Sequence, residues 1–128
     1  MAHKILIIDD NEPVRVLLRT RLTRAGFECI EAPDGLSGIA KAKSEAPAFI
    51  ICDLMMPDVD GWEVLKQLKE DPQTDKIPFA ILSAHYTALS RQEGIAKGAD
   101  EVLQKPTPFE ELLRIIKHHL KITDTPPL

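Results

Sequence analysis

The chain has 128 residues, a formal net charge of −4, 44% hydrophobic residues and 28% charged residues. That length suits one globular domain with a core of its own, and the composition excludes a disordered or fibrous chain. The mild acidity, with Lys and Arg scattered among acids, argues against direct nucleic-acid binding, and no run approaches the roughly 20 apolar residues of a membrane span.

Two kinds of segment alternate along the chain. Lys4–Ile8 (KILII) reads as a first strand, with no signal-peptide pattern before it, so a cytoplasmic location is the default expectation. Val14, Leu17, Leu18 and Leu22 then recur at helical spacing, with Pro13 in the first turn, where its missing N–H costs nothing. A second strand is predicted over 28–31 (ECIE), followed by a helix that Asp34 caps and that Leu36, Ile39 and Ala40 begin to stripe. The third strand is 49–52 (FIIC), before a helix capped by Asp60 and carrying Trp62, Leu65 and Leu68. The fourth is 79–82 (FAIL). Residues 87–97 after it form the weakest helical pattern, with a thin stripe and Gly94 inside at about 1 kcal/mol relative to Ala, and are expected to be the most mobile element. A fifth strand over 101–103 (EVL) precedes the clearest stripe, Phe109, Leu112, Leu113, Ile116 and Leu120. Thr107-Pro108-Phe109-Glu110 reads as its capping box.

Five βα units with near-continuous apolar strands predict an α/β fold, a doubly wound parallel sheet covered on both faces by right-handed crossovers. One domain over 1–122 is expected, with 123–128 (TDTPPL) as a tail or the start of a linker. Cys29 and Cys52 sit in apolar runs and read as small buried hydrophobes, since no histidines stand at ligand spacing. His118 and His119 are adjacent on a helix, face different directions, and make no metal site.

In such a sheet, ligands bind beyond the carboxyl ends of the strands. Asp9 and Asp10 follow the first strand, Asp53 the third, Ser83 the fourth, and Lys105-Pro106 the fifth. Taken singly, each has a bland role: helix cap, turn residue, loop hydroxyl, solvated lysine. Together they place three carboxylates, a hydroxyl and an ammonium at one edge. Three carboxylates repel unless a cation sits among them, and hard oxygen donors suit Mg2+. A divalent ion and an ammonium would neutralise an incoming phosphoryl group, leaving Asp53 the best-placed nucleophile.

The motifs ILIIDDN, DLMMPDVDG, ILSA and KP stand at four strand ends in this order. With them the chain resembles the receiver (CheY-like) domain of two-component response regulators, from about residue 4 to residue 120. The resemblance implies a flavodoxin-like strand order of 2-1-3-4-5. It also implies Asp53 as phospho-acceptor, Asp9 and Asp10 around Mg2+ with Asp10 the more direct ligand, and the backbone carbonyl of Met55 as a further ligand. Ser83 and Lys105 would contact the phosphoryl group, and Lys105–Pro106 looks like the family's cis peptide. The phosphoryl donor would be a sensor histidine kinase or a phosphotransfer protein, and a downstream effector would read the switched face, with homodimerisation possible. An aromatic residue often stands three positions before the lysine; here that position is Val102, which has no ring to reorient. Tyr86 is a candidate substitute, and His85 lies where side chains in the family influence access of the hydrolytic water.

Other readings on the same architecture are weaker. A magnesium phosphatase would usually carry a second acid two residues after the nucleophile, where Met55 stands. A flavin or nucleotide binder would need a phosphate cradle where Asp9-Asp10-Asn11-Glu12 stands. A receiver that signals by protein contact alone would not need the full acidic set.

Overall fold

The apolar runs pair into one parallel sheet in the computed structural model, which describes residues 3–84 and 87–122. Its strands are β1 (Lys4–Ile8), β2 (Glu28–Ala32), β3 (Phe49–Asp53), β4 (Phe79–Ser83) and β5 (Glu101–Gln104), in the order β2-β1-β3-β4-β5. Every pairing is parallel, so the chain crosses back through a helix each time. The helices are α1 (Glu12–Arg24), α2 (Gly35–Glu45), α3 (Gly61–Lys69), α4 (Ala88–Ala96) and α5 (Phe109–His119). The strand order that the resemblance implies is the one observed. Strands β2 to β5 each run one residue beyond the predicted apolar run, which draws Asp53 and Ser83 into the sheet edge itself. Residues 85–86 and 123–128, and with them the expectations for His85, Tyr86 and the tail, lie outside the described residues.

Side chains alternate between two cores. Leu6, Ile8, Ile50, Cys52, Phe79, Ile81 and Val102 pack with residues of α2 and α3, whereas Ile5, Ile7, Phe49, Ile51, Ala80 and Leu82 pack with α1 and α5. Coverage on both faces explains why β1, β3 and β4 carry continuous apolar runs instead of alternating. Among the described residues, no helix is long and apolar enough to cross a membrane.

Three helix readings need correction. In α2 the buried face is Gly35, Gly38, Ile39 and Ala42, whereas Leu36 is 65% exposed and Ala40 also faces out. The helix seats on its small residues, and the larger side chain is turned away. In α1 Leu17 is 54% exposed and Leu22 carries the burial. The capping box at Thr107 does not form: α5 begins one residue later with Pro108 at the N-cap and no side-chain cap, and the Thr107 hydroxyl donates to the Gln104 carbonyl. The reciprocal capping box belongs instead to α4. There Thr87 Oγ1 accepts from Ser90 N–H at 3.0 Å, and Ser90 Oγ accepts from Thr87 N–H at 2.8 Å.

Candidate functional site

The end of β1 is tied down on all sides. Asp9 N–H donates to the Ala32 carbonyl of β2 at 3.1 Å, and Asp9 Oδ1 accepts from Asn11 N–H at 2.9 Å. Asn11 in turn caps α1, accepting from Val14 N–H at 3.1 Å. Lys105 Nζ donates to Asp9 Oδ2 at 2.9 Å, and Arg15 Nη1 donates to the Asp9 carbonyl at 2.8 Å. Asp9 is therefore buried with each of its polar atoms engaged, while Asp10 beside it is exposed. The cap role that Asp9-Asp10-Asn11 suggested belongs to Asn11 alone, leaving both carboxylates to the site.

Asp53 ends the central strand and is 8% exposed. Oxygens of Asp9, Asp10 and Asp53 lie within 4.8 Å of one another, a set of hard donors that fits a divalent cation such as Mg2+. Lys105 Nζ stands 3.5 Å from Asp53 Oδ1, so one ammonium bridges Asp9 and Asp53. Burial, followed by the charge of Asp9, raises the pKa of Asp53 above the ordinary aspartate value, and Lys105 offsets them only in part. For Lys105, burial works against the charged form. The hydrogen bond to Asp9 and the charges of Asp9 and Asp53 outweigh it, so its pKa is also raised. The Lys105 ammonium therefore holds its proton firmly beside Asp9 and Asp53.

The backbone around Asp53 requires a glycine. Gly61, the first residue of α3, donates to the Leu54 carbonyl at 2.9 Å, and a Cβ there would lie 2.8 Å from the Asp53 carbonyl oxygen. Helix α3 therefore starts flush against the strand end. Asp60 caps it, accepting from Glu63 N–H at 3.0 Å. Met55 lies two residues past Asp53 in the intervening loop, its side chain 61% exposed.

Ser83 is fully buried at the end of β4, and its carbonyl accepts from Lys105 N–H at 2.8 Å, which ties the two loops together. The Lys105–Pro106 peptide is cis. Val102 is 2% exposed and packs under α4. Of the described α4 side-chain positions, Gly94 is the buried one. A Cβ at 94 would overlap Val102 Cγ2 and lie 3.0 Å from the Trp62 indole. Gly94, expected only to weaken its helix, is what lets α4 sit against β5 and α3. Lys97 Nζ covers the other reach of the Trp62 ring, 5.5 Å from its centroid.

Of the other titratable groups, Cys52 adjoins this edge. Cys52 is buried beside Asp53 with its thiol pKa pushed well up by burial, and Cys29 is raised for the same first reason. His119 pairs with Glu101 at 3.1 Å and tilts on Phe49, far along the strands from the carboxylates. A groove of about 610 Å3 lined by Trp62, Lys66, Lys69 and Lys97 with acids among them runs along α3 and the end of α4. It is open and of mixed charge, and it is not the site: none of the carboxylates that cluster at the strand ends lines it. The residue that sequence reasoning missed is Arg15, whose bond to Asp9 closes a loop between α1 and β1; only its helical position one turn past the acidic pair hinted at it.

Comparison with known proteins agrees with this geometry. Residues 5–117 match the sequence model of the response regulator receiver domain. The chain is 38% identical over 124 residues to the DNA-binding dual master transcriptional regulator RpaA of Synechocystis, covering 97% of this chain and 52% of that protein. It is 36% identical over 121 residues to the alkaline phosphatase synthesis transcriptional regulatory protein PhoP of Bacillus subtilis, covering 94% and 50%. The chain thus spans about half the length of these relatives. Among solved structures, the chemotaxis protein CheY4 of Vibrio cholerae superposes with a TM-score of 0.86 at 32% identity, covering 92% of this chain and 98% of that one. A match that runs from β1 into α5, on the same strand order, settles the relationship: the chain belongs to the response regulator receiver domains of two-component systems.

Proposed function

We propose that Asp53 accepts a phosphoryl group from the phosphohistidine of a sensor histidine kinase or phosphotransfer protein. A carboxylate oxygen of Asp53 attacks phosphorus; the O–P bond forms, the P–N bond breaks, and its electron pair stays on the imidazole nitrogen. The observation that carries this reading is the placement of Asp53: a buried carboxylate at the end of the central strand, 3.5 Å from the Lys105 ammonium and clustered with Asp9 and Asp10. Mg2+, held by Asp9, Asp10, Asp53 and the Met55 carbonyl, would neutralise charge on the phosphoryl oxygens. Lys105 is free to exchange one carboxylate for a phosphoryl oxygen, and Ser83 donates to another.

In this reading the domain is a signalling switch and not a turnover enzyme, losing its phosphoryl group slowly. Ser83 and the loop before α4 shift, and the face made by α4, β5 and α5 changes its affinity for a downstream effector or a second copy. Residues 1–122 form the receiver, with 123–128 as tail or linker, and the setting is cytoplasmic. The DNA binding in the name of RpaA belongs to that longer protein, and the acidity of this chain supports a role by protein contact.

Intact-protein mass after incubation with acetyl phosphate and Mg2+ tests the reading. One added phosphoryl group is expected on the wild type and none on Asp53→Asn. Equal labelling of both proteins would overturn it, as would no addition to the wild type from either acetyl phosphate or a phosphorylated histidine kinase.

A further inference from the structure

Arg15 touches none of the clustered carboxylate oxygens, yet it is bound into the site from behind. It stands on the first turns of α1 with its side chain 13% exposed. Nη1 donates to the Asp9 carbonyl at 2.8 Å, and Nε donates to Glu31 Oε1 at 3.3 Å. Glu31 lies on β2, in register with Ile7 of β1. It is itself held from two sides: Arg19 donates to Oε2 at 2.7 Å, and Lys41 of α2 donates to its carbonyl.

The acceptor of Arg15 is the carbonyl of the peptide that joins Asp9 to Asp10. Shifting or tilting that peptide carries both carboxylates with it, because their Cα atoms are its two ends. Asp9 has other restraints on its side chain, but Asp10 is exposed and depends on the backbone for its direction. A guanidinium is a planar fork with fixed donor directions, so its two bonds, one to the carbonyl just past β1 and one to Glu31 of β2, hold that peptide in place from a fixed direction. Glu31 balances the charge of Arg15, which makes its contribution to the acidic pair one of direction more than of field.

We propose that Arg15, oriented by Glu31, is the positioning residue for the metal-binding carboxylates, holding the Asp9–Asp10 peptide so that both acids meet a divalent cation without rearrangement. This rests on the reading of Asp9 and Asp10 as Mg2+ ligands. Outer hydrogen-bond partners of metal ligands typically contribute about 10- to 100-fold to affinity, and Asp10 gives this site the dependence on its backbone that such an effect requires.

The test is calorimetric titration of Mg2+ into the unphosphorylated domain, for the wild type, Arg15→Ala, Arg15→Lys and Arg19→Ala. Arg15→Ala is expected to weaken Mg2+ binding by about tenfold. Arg15→Lys should recover part of the loss, since an ammonium reaches the carbonyl but cannot hold Glu31 at the same time. Arg19→Ala removes an ion pair to the same glutamate without touching Asp9, and should bind Mg2+ like the wild type. Unfolding in EDTA is followed in parallel; should Arg15→Ala fail to fold, Arg15→Lys and Glu31→Gln carry the test, both expected to bind more weakly than the wild type. Wild-type affinity in the folded Arg15 variants, or an equal loss in Arg19→Ala, would overturn the proposal while leaving the metal reading intact. A wild type that binds no Mg2+ would overturn both.

Discussion

Asp53 ionises less readily in the folded domain than in the unfolded chain, because burial and then Asp9 raise its pKa above the ordinary value of 3.8. The folded state therefore binds the proton more tightly, and stability falls as pH rises from the ordinary carboxylate value through the raised one. Asp53→Asn lacks this component. In urea unfolding with EDTA, the advantage of the variant over the wild type should grow as pH climbs through that window and then level off; an advantage that does not vary with pH would contradict the assignment. Lys105 has the complementary role. Lys105→Met leaves Asp9 Oδ2 without its partner and removes the charge between two acids, so a loss of about 1–3 kcal/mol is expected. Added Mg2+ should narrow that gap, which denaturation with and without the ion would show. The placement of Asp9, Asp53, Ser83 and Lys105 at one edge was legible in the sequence because the first three directly follow apolar runs, Lys105 stands one residue beyond the last run, and strand ends converge in a parallel sheet. Arg15 was not, because its acceptors lie 6 and 16 residues away on other elements, and helical periodicity carries no information about such bonds.

The elements divide in the same way. The strands were legible from runs of Ile, Leu and Phe, and the ends of β3 and β4 were missed by one residue because Asp53 and Ser83 are polar yet still paired in the ladder. Helix α4 looked weakest because its apolar stripe is thin and propensity penalises Gly94, and propensity takes no account of what the helix packs on. A methyl at 94 gains about 1 kcal/mol of helix propensity but meets Val102 and Trp62, and overpacking of this kind costs about 1–3 kcal/mol. Gly94→Ala should therefore destabilise on balance. Adding Val102→Ala should make the two changes less than additive, as a double-mutant cycle by denaturant unfolding would reveal. Thr87→Ala, which breaks the reciprocal cap, should cost about 1 kcal/mol and speed amide exchange across α4 ahead of the other helices. At α5, by contrast, Thr107→Ala removes no cap.

For the molecule as a whole, parallel pairing and right-handed crossovers leave few topologies, and the family motifs select 2-1-3-4-5 among them. What no pattern of hydrophobes conveys is how closely the layers approach, and here glycines set that distance at both ends of one path. Gly61 abuts the Asp53 backbone, Trp62 follows it in the chain, and the indole lies against Gly94 of α4 with Lys97 over its ring. Trp62 is also the single tryptophan of the sequence. Emission excited at the red edge of the indole band, where Tyr86 does not absorb, therefore originates at one place, the junction between the loop after Asp53 and α4, where an indole's spectrum responds to the distance of a nearby ammonium. Acetyl phosphate with Mg2+ should alter that emission in the wild type and leave Asp53→Asn unchanged, giving a label-free optical signal for whether chemistry at the strand end is felt by the fourth helix.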